Sequence, residues 1–378
     1  MKLQKYLNLD WCKSLLKTTT LAILLFSLSV GLSGAWFGGD DSQTPRKSTL
    51  AQGDAITDPT AILRYSLPLD NEAVRRLQGY IEDISNYLRA KRWPPINKDV
   101  KSASRVLSLK SEKIIADVPA DRQAEARSLL QEISAKVEDL KAVVEAKDKE
   151  AVWTARREVL DRITDLEELM VEGFPYEVPS EYADLPQLLG RATVKLETTK
   201  GDMTVVVDGY SAPVTAGNFV DLVERGFYDG LDFFNVEGFA LQTGNPEGKE
   251  EGFIDPDTGE YRAIPLEVLV RDEEEPIYGF TLEEIGIYLP DLALPFNAYG
   301  AVALARPDTD PNGGSSQFFF FKFDTELTPP GFNLMDGRYA VFGYLVDGRD
   351  VLDKLTDGDK IIAATVVDGA NNLVEPQA

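Results

Sequence analysis

The sequence predicts a multidomain α + β protein, a helical bundle followed by a closed antiparallel β-barrel. A change of period carries this expectation. From about Asp70 to Glu172, apolar residues recur at alternating steps of three and four, which places them on single helix faces. After Arg191 the period drops to two, and short strands broken by turns continue to Val367. Pro175, Pro179 and Pro186 lie between the two patterns and forbid a continuous helix there.

Ahead of both lies an export signature. Lys2, Lys5, Lys13 and Lys17 make a basic start, Leu21 to Val30 an apolar run, and Ser33-Gly34-Ala35 a small-residue cleavage pattern. Residues 1–35 therefore read as a secretory signal peptide, leaving no permanent membrane anchor after cleavage. A retained anchor is the alternative, but the run is short for a span of about 20 residues. Residues 36–58 are polar and rich in Gly, Ser and Asp, and read as a flexible linker.

Residues 59–174 read as the bundle. Val74, Leu77, Ile81, Ile84 and Leu88 form one stripe; Leu130, Ile133, Val137, Leu140 and Val144 form another. Val152, Ala155, Val159, Ile163, Leu166 and Met170 form a third. A weaker stripe at Val100, Ala103, Val106 and Leu107 adds a helix, with Trp93-Pro94-Pro95 breaking the chain before it. Pro119 is expected in the first turn of the next helix. Each stripe needs a partner to bury it, so about four antiparallel helices are expected. The alternative, a zipper for another chain, would need more heptads than these stripes span.

Residues 175–190 read as a Pro-rich linker and 191–378 as the barrel. Thr193–Thr198 and Met203–Val207 flank Lys200-Gly201-Asp202 as a hairpin, and Ala212–Gly226 interrupts the strands as a helix. The short, stiff linker predicts that the bundle, or the linker itself, packs on the barrel.

Missing residue types exclude much chemistry. The chain has no histidine, which rules out Ser-His-Asp and Cys-His catalysis and imidazole metal sites. Its one cysteine, Cys12, lies in the signal, so the mature chain would hold no thiol. The formal net charge is −24, and removal of the signal's +3 leaves −27. Such a surface repels nucleic acid and anionic lipid. Glu247 to Glu275 alone holds eleven acids and three bases. Within it, Asp255-Pro256-Asp257-Thr258-Gly259-Glu260 resembles a calcium loop but lacks the alternation and closing glutamate of an EF-hand. The stretch reads as a solvated β-hairpin or lid, and no metal or cofactor is expected.

Two blocks carry the functional signal. The first runs from Ala212-Pro213-Val214-Thr215-Ala216-Gly217-Asn218-Phe219 through Gly226-Phe227-Tyr228 to Phe233, Phe239 and Gln242. The second is Asn312-Gly313-Gly314-Ser315-Ser316-Gln317-Phe318-Phe319, followed by Asp336-Gly337-Arg338-Tyr339-Ala340-Val341-Phe342-Gly343. They resemble the cyclophilin family of peptidyl-prolyl isomerases over roughly Thr193 to Asn371. The whole arrangement resembles the thylakoid-lumen cyclophilins of cyanobacteria and chloroplasts. No long Ser- and Arg-rich transit peptide is present, which points to a bacterial source.

The resemblance implies an eight-stranded cyclophilin-like barrel with a proline pocket on its outer surface. Proline isomerisation needs no proton transfer and no covalent bond. Its barrier of about 18–20 kcal/mol is amide resonance, and a catalyst must bind the twisted amide better than the planar forms. The family does this with an apolar pocket and an arginine that hydrogen-bonds the proline nitrogen. Here Phe233-Phe234-Asn235-Val236-Glu237-Gly238-Phe239-Ala240-Leu241-Gln242 is one residue shorter than the family's motif. Asn235 falls at the arginine position; moving the gap puts Phe234 there instead. Neither is a cation.

By the same resemblance, Phe239 and Gln242 match the pocket phenylalanine and glutamine, and Ala240 replaces the pocket methionine. Ala305, Gln317 and Phe319 match the pocket alanine, groove glutamine and second phenylalanine. Leu334 replaces the rim tryptophan, Met335 lines the pocket, and Tyr339 replaces a histidine. Arg306 and Arg338 lie near enough to act as substitute donors, although an ordinary surface role is the simpler reading. The resemblance implies a cyclophilin-type peptidyl-prolyl isomerase with weakened catalysis in the thylakoid lumen or periplasm. It would bind proline-containing segments of exported or membrane proteins, photosystem II components among them, and not nucleic acid. The alternative is a catalytically inactive scaffold or chaperone whose bundle binds the partner.

Overall fold

The computed structural model describes residues 56–376, apart from 324–332 and positions 237, 247, 249, 250, 257, 272 and 289. The expected signal peptide of residues 1–35, with Cys12, and nearly all of the expected linker of residues 36–58 lie outside the described residues. The described residues belong to one compact unit.

The helical region opens with a short helix, α1 (Pro59–Ser66), that the apolar stripes do not reveal. Its start is nonetheless written locally. Asp58 caps it by accepting from the Thr60 and Ala61 N–H groups, and Pro59 occupies the first turn. Four long helices follow: α2 (Glu72–Leu88), α3 (Trp93–Ala116), α4 (Gln123–Glu145) and α5 (Lys149–Met170). Each packs on the next, and α5 returns to α2. Val74, Leu77, Ile81, Ile84 and Leu88 are all fully buried, facing Ile96, Val100 and Ala103 of α3 and the stripes of α4 and α5. The weakest stripe belongs to the longest helix, α3 with 24 residues, and Pro94 and Pro95 sit in its first turn. Pro119 is not helical. It lies in the turn before α4, where its carbonyl accepts from the Arg122 N–H.

The β region contains β1 (Gln187–Leu188), β2 (Arg191–Thr198), β3 (Gly201–Asp208), helix α6 (Pro213–Glu224), β4 (Phe234–Val236) and β5 (Ala240–Thr243). It continues with β6 (Glu267–Val268), β7 (Ile277–Tyr278), β8 (Ala301–Leu304), β9 (Phe318–Phe321) and β10 (Val341–Asp347). It ends with α7 (Arg349–Lys354), β11 (Ile361–Asp368) and β12 (Leu373–Val374). Eight strands form one antiparallel sheet in the order β11-β2-β3-β10-β8-β9-β5-β4. The expected closed barrel is corrected to a curled, open ladder. Its end strands β11 and β4 do not pair. An isolated bridge at Asp232–Lys360 and flanking backbone hydrogen bonds such as Phe233 N–H to Asp359 O at 2.7 Å link the segments beside them.

The sheet has two apolar faces. The inner face buries Val194, Leu196, Val205, Leu241, Phe318, Phe320 and Phe342 against Phe219 and Tyr228. The outer face gathers Ala240, Ala301, Ala303, Phe319, Phe321, Val341 and Tyr344 in a separate cluster.

Helix α1 docks on that outer face. Ile62 and Leu63 are buried in the cluster with Ala301, Ala303 and Phe319. The joint is also polar. The Arg191 guanidinium donates to the Leu63 carbonyl, to Ser66 Oγ at 3.0 Å and to Glu168 of α5 at 3.3 Å, and lies 3.5 Å from Asp208. Ser66 Oγ donates to Asp208 Oδ2 at 2.5 Å. Helical and β regions therefore meet, and the element that makes the apolar contact is α1.

The acidic insertion is not simply solvated. Phe253, Arg262, Ile264, Leu266, Glu267 and Val268 are buried. Arg262 meets Asp221 at 2.5 Å and Asp255 at 3.2 Å. Glu267 accepts from the Val214 and Thr215 N–H groups at 3.2 and 2.9 Å, capping α6 from outside. Asp255 of the calcium-like stretch is thus committed to Arg262, and Asp257 lies outside the described residues.

Candidate peptide-binding face

The candidate site is the outer face at the β4–β5–β9 end of the sheet. Strand register decides which residues share it, because side chains alternate between faces and directly paired residues point the same way. Gln242 pairs with Phe319 across β5–β9, and Ala240 with Phe321. Across β4–β5, Phe234 pairs with Gln242 and Val236 with Ala240. These six residues share one face. Asn235 pairs with Leu241, which is fully buried in the inner core. Asn235 therefore points away from the groove. Its backbone N–H and its Nδ2 both donate to Asp357 Oδ1, at 2.5 and 2.9 Å. The register thus puts Phe234, and not Asn235 as the motif alignment suggests, on the groove face beside Gln242.

Apolar side chains gather on this face. Phe239 lies 6.2 Å from Phe321 between ring centroids, and Phe319 meets Tyr339 edge-on at 5.6 Å. Met335 and Ala305 are partly buried against the same cluster. The frame is also well covered. Phe296, which sequence reasoning missed, stacks on Phe319 at 6.1 Å. Phe319 and Ala240 are only 4% and 5% exposed. Leu334 stands at 82% exposure, so it stays on the rim without walling the pocket.

The polar residues are occupied with one another. Gln242 Nε2 donates to Gln317 Oε1 at 2.7 Å, and Gln317 Nε2 donates to the Glu251 carbonyl at 2.6 Å. That second bond ties the groove glutamine to the acidic insertion. Neither candidate arginine reaches in. Arg306 lies over the Tyr339 ring at 5.0 Å and donates to the carbonyls of Arg338 and Pro307 at 2.9 and 2.8 Å. Arg338 pairs with Glu283 at 2.5 Å. Among the described residues, the groove face of β4, β5 and β9 presents no cation.

Asp336 holds the pocket loop. Its Oδ1 accepts the Phe296 N–H at 2.8 Å, and burial pushes its carboxyl up to about 7. The loop carrying Met335 is thereby pinned to the segment carrying Phe296. A second bond, Asn333 Nδ2 to the Phe296 carbonyl at 3.0 Å, does the same.

A curled eight-stranded sheet with an outer apolar cluster, two glutamines paired beside it and a Ser-Ser-Gln run leading into the Phe318–Phe321 strand defines a cyclophilin-like fold. The family comparison agrees. The family described as cyclophilin type peptidyl-prolyl cis-trans isomerase matches residues 193–370, and the one described as peptidyl-prolyl cis-trans isomerase CYP38-like, PsbQ-like domain matches residues 58–171. A protein of Synechocystis sp., sll0408, named for thylakoid lumen peptidyl-prolyl cis-trans isomerisation, is 62% identical over 95% of this chain and 95% of its own length. The chloroplastic peptidyl-prolyl cis-trans isomerase CYP38 of Arabidopsis thaliana is 44% identical over 88% of this chain and 78% of its own. CYP37 of the same plant is 31% identical over 89% and 72%. The chain belongs to the cyclophilin-type peptidyl-prolyl cis-trans isomerase family, in the branch that joins a PsbQ-like helical domain to the cyclophilin domain.

Proposed function

We propose that this protein binds proline-containing segments of exported or thylakoid membrane proteins in the lumen and isomerises them slowly. Photosystem II components are the clients we infer, which makes the protein a folding and assembly factor. One observation carries the weakened catalysis: Phe234 stands on the groove face opposite Gln242, where a cation would be needed. Without a charged donor at the proline nitrogen, transition-state stabilisation falls by about 2–4 kcal/mol, or about 10²–10³ in rate. Ring binding survives in this reading, because Phe239, Phe319 and Met335 remain around the outer face. The lumenal setting rests on the relatives' names.

The second reading is a non-catalytic scaffold. The near-complete cover of Phe319 and the docking of α1 on the same cluster favour it. A protease-free isomerisation assay on a proline peptide separates the two. Slow but measurable turnover is expected, and Phe234→Arg should raise it, whereas Asn235→Arg should not. Turnover at the rate of an arginine-bearing cyclophilin would refute weakened catalysis. No turnover in wild type and in Phe234→Arg, with the fold intact, would favour the scaffold.

A further inference from the structure

One face of α3 breaks the acidity of the chain. Residues 89–113 hold eight Lys and Arg against two acids, in a chain of formal net charge −24. Those two acids do little to offset them. Asp99 is buried, and its carboxyl is pushed up to about 6, chiefly by that burial. Glu112 is held by Arg127 at 2.8 Å.

Lys98, Lys101 and Arg105 are spaced by three and four, so they form one row along the helix. Leu109, four residues beyond Arg105 on the same row, is 70% exposed. The opposite face of α3, with Ile96, Val100, Ala103 and Leu107, is buried in the bundle core. All three cations are exposed, and a shallow open depression runs between them beside Pro94, Asn97 and Ser102. Among the described residues none of the three has an ion-pair partner, although the chain elsewhere pairs many of its bases. Exposed Arg89 and Lys91 extend the basic surface before α3, and Lys110 extends it along the helix.

Like charges at these spacings repel, so the fold gains nothing from the row. It suits an anionic partner. A protein partner would call for an apolar, aromatic-rich contact core, and lysine is depleted from such interfaces. This row is mainly lysine, and its exposed large apolar residue is a single leucine. A headgroup layer asks for no shape complementarity, and each Lys or Arg near an anionic bilayer contributes about 1 kcal/mol. The acidic remainder of the molecule is repelled by the same surface, which orients α3 towards it.

We propose that the Lys98–Lys101–Arg105 face of α3 docks the protein reversibly on the anionic headgroups of a lipid bilayer. Whole-chain charge predicts repulsion from anionic lipid; the tertiary structure concentrates the exception on one helix face. The proposal does not depend on isomerase activity.

The test is co-sedimentation of the full chain with phosphatidylglycerol–phosphatidylcholine vesicles and with phosphatidylcholine vesicles alone. Residues 1–35, with the apolar segment Leu21–Val30 and the lysines Lys2, Lys5, Lys13 and Lys17, are the same in wild type and variants, so the difference in phosphatidylglycerol-dependent binding between them is what is read. We expect Lys98→Glu/Lys101→Glu/Arg105→Glu to weaken that part by at least ~100-fold, from about 1 kcal/mol per cation. The same reversal at exposed Lys200, Lys354 and Lys360 changes net charge equally and should leave most of the binding. Raising salt from about 0.1 M to about 1 M should abolish the wild-type excess, as the screening length falls from about 10 Å to about 3 Å. Thermal melts check that each variant folds. Equal binding by wild type and the α3 variant overturns the proposal, as does the absence of any phosphatidylglycerol-dependent binding. Variant-sensitive binding to polyglutamate but not to vesicles would replace the lipid by an acidic protein partner.

Discussion

Strands β4 and β5 are neighbours in one ladder, yet they keep the family's site to different degrees. β5 presents Ala240 and Gln242 to the groove, while β4 presents Phe234 where the resemblance calls for a cation. The difference lies in what else each residue does. Ala240 is 5% exposed and shares the outer cluster with Phe319 and Phe321, so changing it disturbs packing. β4 is the end strand of the ladder, and a cation there would have no packing duty. A frame that doubles as core contributes to stability whether or not it binds a ligand. Its presence says less about catalysis than the identity of one residue on the end strand.

That comparison can be broken most severely at Phe319. If the ring is core, Phe319→Ala should cost about 3–5 kcal/mol in urea unfolding. A loss below about 1 kcal/mol would mean that the ring is an open groove wall, and the contrast between frame and end strand would fall. Next comes Phe234→Arg, where a gain of up to about 10²–10³ in turnover is the counterpart on the catalytic side.

A third test uses pH. Burial pushes the Glu267 carboxyl from 4.5 up to about 7, even though the Val214 and Thr215 N–H groups hold it down. A carboxyl raised in the folded state contributes stability that is full below its unfolded value, near 4.5, and is lost as pH rises through about 7. The protein should therefore lose stability between about pH 5 and about pH 8. Glu167 and Asp336, also pushed up to about 7 by burial, add to the slope. Glu267→Gln should flatten it by up to one proton, and an unchanged slope would show that Glu267 is ionised throughout. The smallest effect is expected at Asn235. Asn235→Ala removes an exposed hydrogen bond to Asp357 and should cost about 0.5–1.5 kcal/mol with turnover unchanged. A large loss of turnover would return Asn235 to the groove.

The bundle was almost wholly legible in the sequence. Val74 to Leu88 and Leu130 to Val144 are buried as their spacing demands, because a helix face is defined within a few residues. Helix α1 escaped because eight residues are too few for a stripe, although Asp58-Pro59 is a local start signal. The hairpin of β2 and β3 was readable from its turn, with Thr198 and Gly201 closing the ladder. The insertion pairs in antiparallel fashion as its hairpin reading expects, but its solvation was misjudged from its charge. Arg262 and Glu267 look solvated in a run of acids, and only their distant partners Asp221 and the α6 N-terminus bury them.

The sequence by itself determined the four long helices and the exclusion of histidine chemistry. The tertiary structure decided the rest. It left the sheet open between β11 and β4, set Arg306 over Tyr339, turned Asn235 towards Asp357 and placed Phe234 beside Gln242. The physical reason is range. Helical facing follows from i, i+3 and i+4 neighbours, whereas the facing of a strand is set by pairing with residues elsewhere in the chain. A one-residue shift in that pairing, the ambiguity left by the missing residue between Phe233 and Gln242, exchanges the two faces.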